Sequence, residues 1–157
     1  MVLFLYDIVT KNRNKMNLGF ICAVGASIIW GLVYTIDQKV LSNISPINLL
    51  FIDSLLTAII MLPFVFFNND SIKTVLSSGK STLLLIVISV LLAGLANFLI
   101  FSGIKGLNAS NASMIEIAYP FFVVLFSYIF FRSTPNIYFF AGGVLIFIGS
   151  IIIIRFA

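Results

Sequence analysis

Five apolar runs, at about 18–36, 46–67, 82–103, 109–131 and 136–154, fix the environment in which this chain must fold. Each approaches the roughly 20 residues that carry a helix across a bilayer. In hydrocarbon a backbone must satisfy its own hydrogen bonds, and single runs of this kind do so as helices. The same residues exclude a water-soluble globule. Of the chain, 61% is hydrophobic and only 9% charged, where soluble domains carry about 25% charged residues. The expectation is an all-α polytopic membrane protein with five transmembrane helices.

Punctuation between the runs supports that count. Asp37-Gln38-Lys39 and Ser45-Pro46 close the first run and open the second, where Pro suits the first helical turn. Residues 68–80 form the one long polar connection, Lys105-Gly106 divides the third run from the fourth, and residues 132–135 divide the fourth from the fifth. The last two connections are short enough to make spans three, four and five neighbouring antiparallel hairpins. Ahead of the five-helix domain over 18–155 stands a short cytoplasmic segment, 1–17, read as lying on the membrane surface. Its basic cluster of Lys11, Arg13 and Lys15 follows an apolar start rather than preceding it, the wrong order for a cleaved signal peptide.

The net charge of +4 comes from basic residues scattered singly between apolar runs, so it is no nucleic-acid footprint. Read by the positive-inside rule, the charges favour a cytoplasmic N-terminus, with Lys11, Arg13, Lys15, Lys73, Lys80 and Arg132 inside and Lys39, Lys105 and Arg155 outside. The C-terminus then faces out, in a cell (inner) membrane. A lone cysteine, Cys22, and no His at all remove disulfide, thiol-metal and imidazole chemistry. With no nucleophile–base pair, metal cluster or phosphate loop, no enzyme and no cofactor are expected.

Against this background two carboxylates stand out. Asp53 and Glu116 sit inside runs otherwise apolar enough to span, with no Lys, Arg or His in those runs to pair with. Acids at such depth cost about 2.5–3.5 kcal/mol even on lenient insertion scales and usually face a bundle interior or wet cavity. Counted from the expected outer ends, Trp30, Asp53, Asn97 and Glu116 each lie six or seven residues in, roughly 9–10.5 Å at the helical rise. Helical spacing widens the layer. Ser27, Trp30, Tyr34 and Asp37 form one stripe on span one, while Ser113, Glu116, Tyr119 and Pro120 share a face of span four. The candidate solute- or proton-binding residues are therefore Glu116, Asp53, Asn97, Trp30, Tyr34 and Tyr119, with Pro120 expected to kink its helix. Two acids in one layer suit exchange of a proton for a cationic or zwitterionic solute, with aromatic rings as a cation–π face. Bland readings stand beside these. Trp30 and Tyr34 also fit interfacial aromatics, Glu116 a neutral acid hydrogen-bonded to Asn97 or Tyr119, and the glycines of span five close packing.

The run from Gly25 to Gly31 that includes Trp30, Ser45-Pro46 opening span two, Pro120 in span four, and Gly142 with Gly149 in span five together resemble one EamA-type repeat of the drug/metabolite transporter superfamily. The resemblance covers roughly residues 18–155. It implies one half of an inverted-repeat transporter fold, completed by an antiparallel homodimer or a paralogous five-helix partner. An odd span count fits, because a second copy joined or inserted the other way is inverted automatically. Two positions depart from the family's pattern: Asp53 stands about where many repeats carry Arg, and Arg132-Ser133 where many carry Glu. The first leans the cavity toward cations or protons. The function expected is transport of a small metabolite, amino acid or cationic drug-like solute, proton-coupled, by a half-size protein acting as a dimer in the lipid bilayer. The alternative is a non-transporting membrane subunit or scaffold, or a component of a lipid-linked substrate flippase.

Overall fold

With no proline to interrupt it, one helix carries through the first span. A computed structural model describes the backbone of every residue except Met1, Asn68, Pro135 and Ala157, and the side chains of all but 1–17, 68–71, 135, 154 and 157. Lys11, Arg13, Lys15 and Asp70 therefore lie outside the described side chains. The elements are α1 (Val2–Leu41), α2 (Pro46–Phe67), α3 (Asn69–Ser77), α4 (Lys80–Leu107), α5 (Ala109–Glu116), α6 (Tyr119–Phe131) and α7 (Ile137–Phe156). Four stretches are long and apolar enough to cross a membrane: Leu18–Leu41, Pro46–Phe67, Lys80–Leu107 and Ala109–Phe131. Ile137–Ile153 adds a shorter apolar helix. Among the described residues there is no strand, and the chain is an all-α, multi-pass membrane protein.

Helix ends follow local chemistry. Pro46 opens α2, and the Ser45 hydroxyl accepts the Asn48 N–H at 3.3 Å as its cap. The polar connection over 68–80 holds a helix the sequence reading did not anticipate. In α3, Ile72, Val75 and Leu76 fall at i, i+3 and i+4, an amphipathic spacing suited to lying at a membrane surface. At the other extreme Arg132 ends α6 in the left-handed region, φ 51°. Its N–H donates to the Tyr128 carbonyl at 3.0 Å, the single bond of an αL ending.

The chain divides into two units, residues 1–36 and 37–157. The first is the single rod of α1 up to Ile36. Within the second, α2 packs on α3 and α4, α4 on α5, and α7 on both α5 and α6. Helix α4 is thus the common neighbour of α2 and α5. Its buried core is small and lies at one end: Leu41 near the end of α1, Phe101 and Ile104 near the end of α4, Ala109 and Ala112 at the start of α5. Elsewhere the large aliphatic and aromatic side chains face outward, as expected where lipid is as apolar as leucine and gives helices no hydrophobic reason to associate.

Close approach substitutes for that missing drive. A Cβ on Gly103 would meet the Ala112 Cβ at 3.7 Å, ordinary contact and no more. Gly103→Ala should therefore be tolerated. Gly103→Leu should force α4 and α5 apart at a cost of about 1–3 kcal/mol, measured as a lowered denaturation midpoint in detergent micelles; equal midpoints for the two variants would refute this packing.

Candidate functional site

Two places in the second unit depart from plain helix packing. The first is the Leu41 end. Asn108 links α4 to α5 with φ 119° and ψ 166°, a conformation close to glycine-only that costs on the order of 1–3 kcal/mol. Three hydrogen bonds hold it there. Its N–H donates to the Ile104 carbonyl at 3.1 Å, its side-chain oxygen accepts the Asn111 N–H at 2.8 Å, and the neighbouring Ala109 N–H donates to the Gln38 Oε1 at 2.6 Å. The last bond crosses from α1 to α5. Lys105 Nζ donates to the Ile44 carbonyl at 2.8 Å, fastening α4 to the α1–α2 turn. In the midst of these, Asp37 is only 9% exposed, and its Oδ2 is buried with no hydrogen-bond partner. Asp53, exposed on α2, is near enough to act on its charge.

The second place is the break in span four. Pro120 has no N–H to offer the carbonyl four residues back, at Glu116. Helix α5 ends there, residues 117 and 118 form a turn, and α6 restarts at Tyr119. Around the restart the bonds tighten, the Ala118 N–H reaching Ile115 at 3.3 Å and the Phe121 N–H reaching Ala118 at 3.1 Å. The kink expected from Pro120 is present as a full interruption. Below it an apolar groove of about 660 Å³ opens between α6 and α7, bounded by Pro120, Phe121, Phe122, Tyr138, Gly142 and Gly143. Phe121 fits against Gly143, 3.9 Å from where a Cβ would stand. For Gly142 and Gly149 no such neighbour lies within 4 Å.

The other candidates fall as follows. In the first unit, Trp30 and Tyr34 form an aromatic pair with centroids 5.5 Å apart and planes at 53°; Trp30 is exposed and Tyr34 half-buried. In the second, Asn97 and Glu116 are half-buried while Asp53 and Tyr119 are exposed. A Cβ at Gly94, one turn before Asn97, would meet open space, so α4 offers room beside that amide. Asp53 on α2 and Glu116 on α5 belong to helices that share α4, the helix of Asn97, as neighbour. Helix α1 runs to Leu41 and α4 to Leu107, beyond their expected ends. Trp30 and Asn97 consequently lie about a turn deeper than expected, while Asp53 and Glu116 each keep roughly 10.5 Å from their helix starts. Sequence reading missed Gln38, Asn108 and the burial of Asp37. The signal for Asp37 was available in the stripe from Ser27 through Trp30 and Tyr34, which reaches it at the next helical step.

Comparison with known proteins places this geometry in context. The EamA-like transporter family matches residues 17–155. A protein of Methanothermobacter thermautotrophicus described as an uncharacterized transporter is 28% identical over 147 residues, covering 85% of this chain and 42% of the relative. The chain thus spans less than half the length of that relative. No solved structure matches it.

The cross-helix bond at Ala109 is open to a direct test. Gln38→Leu leaves the Ala109 N–H without its acceptor beside a strained residue and should lower stability by about 1–3 kcal/mol, whereas Gln38→Glu, which keeps an acceptor, should lose less. Unfolding in micelles by denaturant reads both; a neutral Gln38→Leu would show the bond to be incidental.

Proposed function

We propose that this chain, which belongs to the EamA-like transporter family, works as one half of a solute transporter completed by a second five-helix unit. That it is a membrane transporter follows from the family and from its apolar helices. What supports reading these five helices as one half is coverage: the chain matches a stretch that makes up 42% of a relative described as a transporter. An uneven number of apolar helices supports it, since a partner inserted the other way supplies the inverted counterpart that midplane sites of transporters use. An antiparallel homodimer and a paralogous partner both meet this requirement. The orientation we assign is N-terminus cytoplasmic and C-terminus outside, in the cell (inner) membrane, from the charge bias alone.

Mechanistically, the interrupted span is the natural moving part. Broken helices at membrane depth line cavities in transporters, and here the interruption falls directly after Glu116. We assign Glu116 the coupling proton and give Asp53, Asn97, Tyr119, Trp30 and Tyr34 to solute contact. The solute is a small metabolite, an amino acid or a cationic drug-like molecule. Any difference in affinity between the two open states sets the coupling between proton and solute. Movement of this kind makes and breaks no covalent bond, so no catalytic residue is assigned.

In proteoliposomes under an imposed pH gradient, Glu116→Gln should abolish gradient-driven uptake of amino acids or ethidium while circular dichroism and assembly stay unchanged. Unaltered uptake would remove Glu116 from coupling. Accessibility labelling of both termini in intact cells should distinguish the partners: one population of orientations requires a separate inverted partner, and two equal populations a dual-topology homodimer. Indifference of all flux to Asp53 and Glu116 together, with loss of assembly on substituting the α7 glycines, would instead favour a scaffold.

A further inference from the structure

We propose that Asp37, together with Asp53, forms a recognition site for an ammonium group at the Leu41 end of the bundle. The inference rests on the transporter reading above and names the chemistry of the solute it would take. Asp37 is nine-tenths buried, and one of its carboxylate oxygens faces no donor. Leaving a buried carboxylate oxygen unpaired is among the more expensive arrangements a fold can hold. Nearby groups do not relieve it. Lys105, near the C-terminal end of α4, donates its ammonium to the Ile44 carbonyl, and the Gln38 side-chain oxygen accepts the Ala109 N–H. Lys39 on the same helix is exposed. The charged group that bears on Asp37 is a second acid, Asp53.

A donor from outside the chain is therefore what this site lacks. Protonation would neutralise the buried acid, whereas a cationic donor meets the same cost while leaving the carboxylate charged. Calcium and magnesium want six or more oxygen ligands and zinc four, and among the described residues no group of three acids, His or Cys comes together to start such a shell. A primary ammonium fits better, bringing one positive charge and three N–H donors on a single atom. It can give one bond to the buried Asp37 oxygen, while the exposed Asp53 adds its negative charge to the attraction. The division of labour follows from burial: Asp53 meets the solute at the surface, and Asp37 holds it once water is excluded. The Asn108 turn and the Gln38 bond to Ala109 fix the end of α1 in place, so the anchor is positioned before a solute arrives.

Calorimetric titration of the purified full-length protein in detergent tests this, with n-butylammonium chloride as probe and sodium chloride at matched ionic strength as reference. Wild type should bind the probe saturably. Asp37→Asn should weaken binding at least tenfold and Asp53→Asn severalfold. Tetramethylammonium, which has the charge but no N–H, should bind at least tenfold more weakly than butylammonium. A second measurement needs no variant: butylammonium should protect Asp37 of the wild-type protein from carbodiimide labelling, read by peptide mass spectrometry. Butylammonium binding within twofold of wild type in a folded Asp37→Asn, equal binding of the two ammonium ions, or absence of protection would each overturn the assignment. Saturable binding without solute flux in proteoliposomes would sink the transporter reading and leave the site standing. Flux that ignores Asp37 would do the reverse.

Discussion

Lipid removes the force that holds most proteins together. Between helices already dissolved in hydrocarbon, burying another leucine gains almost nothing, and what remains is close contact and hydrogen bonding. This molecule concentrates both at one end. The bond from Gln38 to the Ala109 N–H is the clearest instance, because it joins residues 71 positions apart in sequence across two helices. It also satisfies an N-terminal backbone donor of α5 that has no partner within its own helix. Around it sit the five buried apolar residues and the Gly103–Ala112 approach. The far ends of the helices have no comparable clamp among the described residues.

That asymmetry would matter in the transporter proposed above, which must open and close. Helices tied at one end and loosely packed at the other can tilt about the tie, and an interrupted helix supplies a second joint part way down. The turn at residues 117–118 lies between the clamped α5 and the groove flanked by α6 and α7. Motion of α6 against α7 would alter that groove while the junction of α1, α4 and α5 stays fixed. Alternating access needs such a pairing of a rigid reference with a moving part, and in the proposed half-transporter the clamped junction and the interrupted span would fill these roles.

Much of this was legible in the residues and some was not, for identifiable reasons. Apolar run length is a direct readout of environment, so the helices and their order were visible, and Pro120 announced the break because its ring forbids an ordinary helix there. Helix ends were harder. Asp37-Gln38-Lys39 is polar enough to look like a loop, yet α1 continues to Leu41 because Gln38 and Asp37 find polar or shielded surroundings on α4–α5 that a single sequence does not display. The same blindness hid the Asn108 turn: its left-handed backbone is sustained by a side chain from a distant helix, a tertiary fact. The connection over 68–80 was polar on average, and averaging concealed the three apolar residues that give α3 its face.

The pattern of acids then acquires a gradient that composition alone could not show. Asp53 is exposed, Glu116 half-buried and Asp37 buried, so three carboxylates in one unit stand at three degrees of burial. A charge becomes harder to hold as water is withdrawn, and its interaction with a partner becomes stronger by the same change. An exposed acid can therefore attract a cation over distance but bind it weakly, whereas a buried one contributes little to attraction and much to retention. In the site proposed here, a solute passing from one to the other would exchange hydration for protein contacts in steps rather than all at once. Steps of that size lower the barrier to entry, and in a carrier that must also release its solute they keep any single site from becoming a trap.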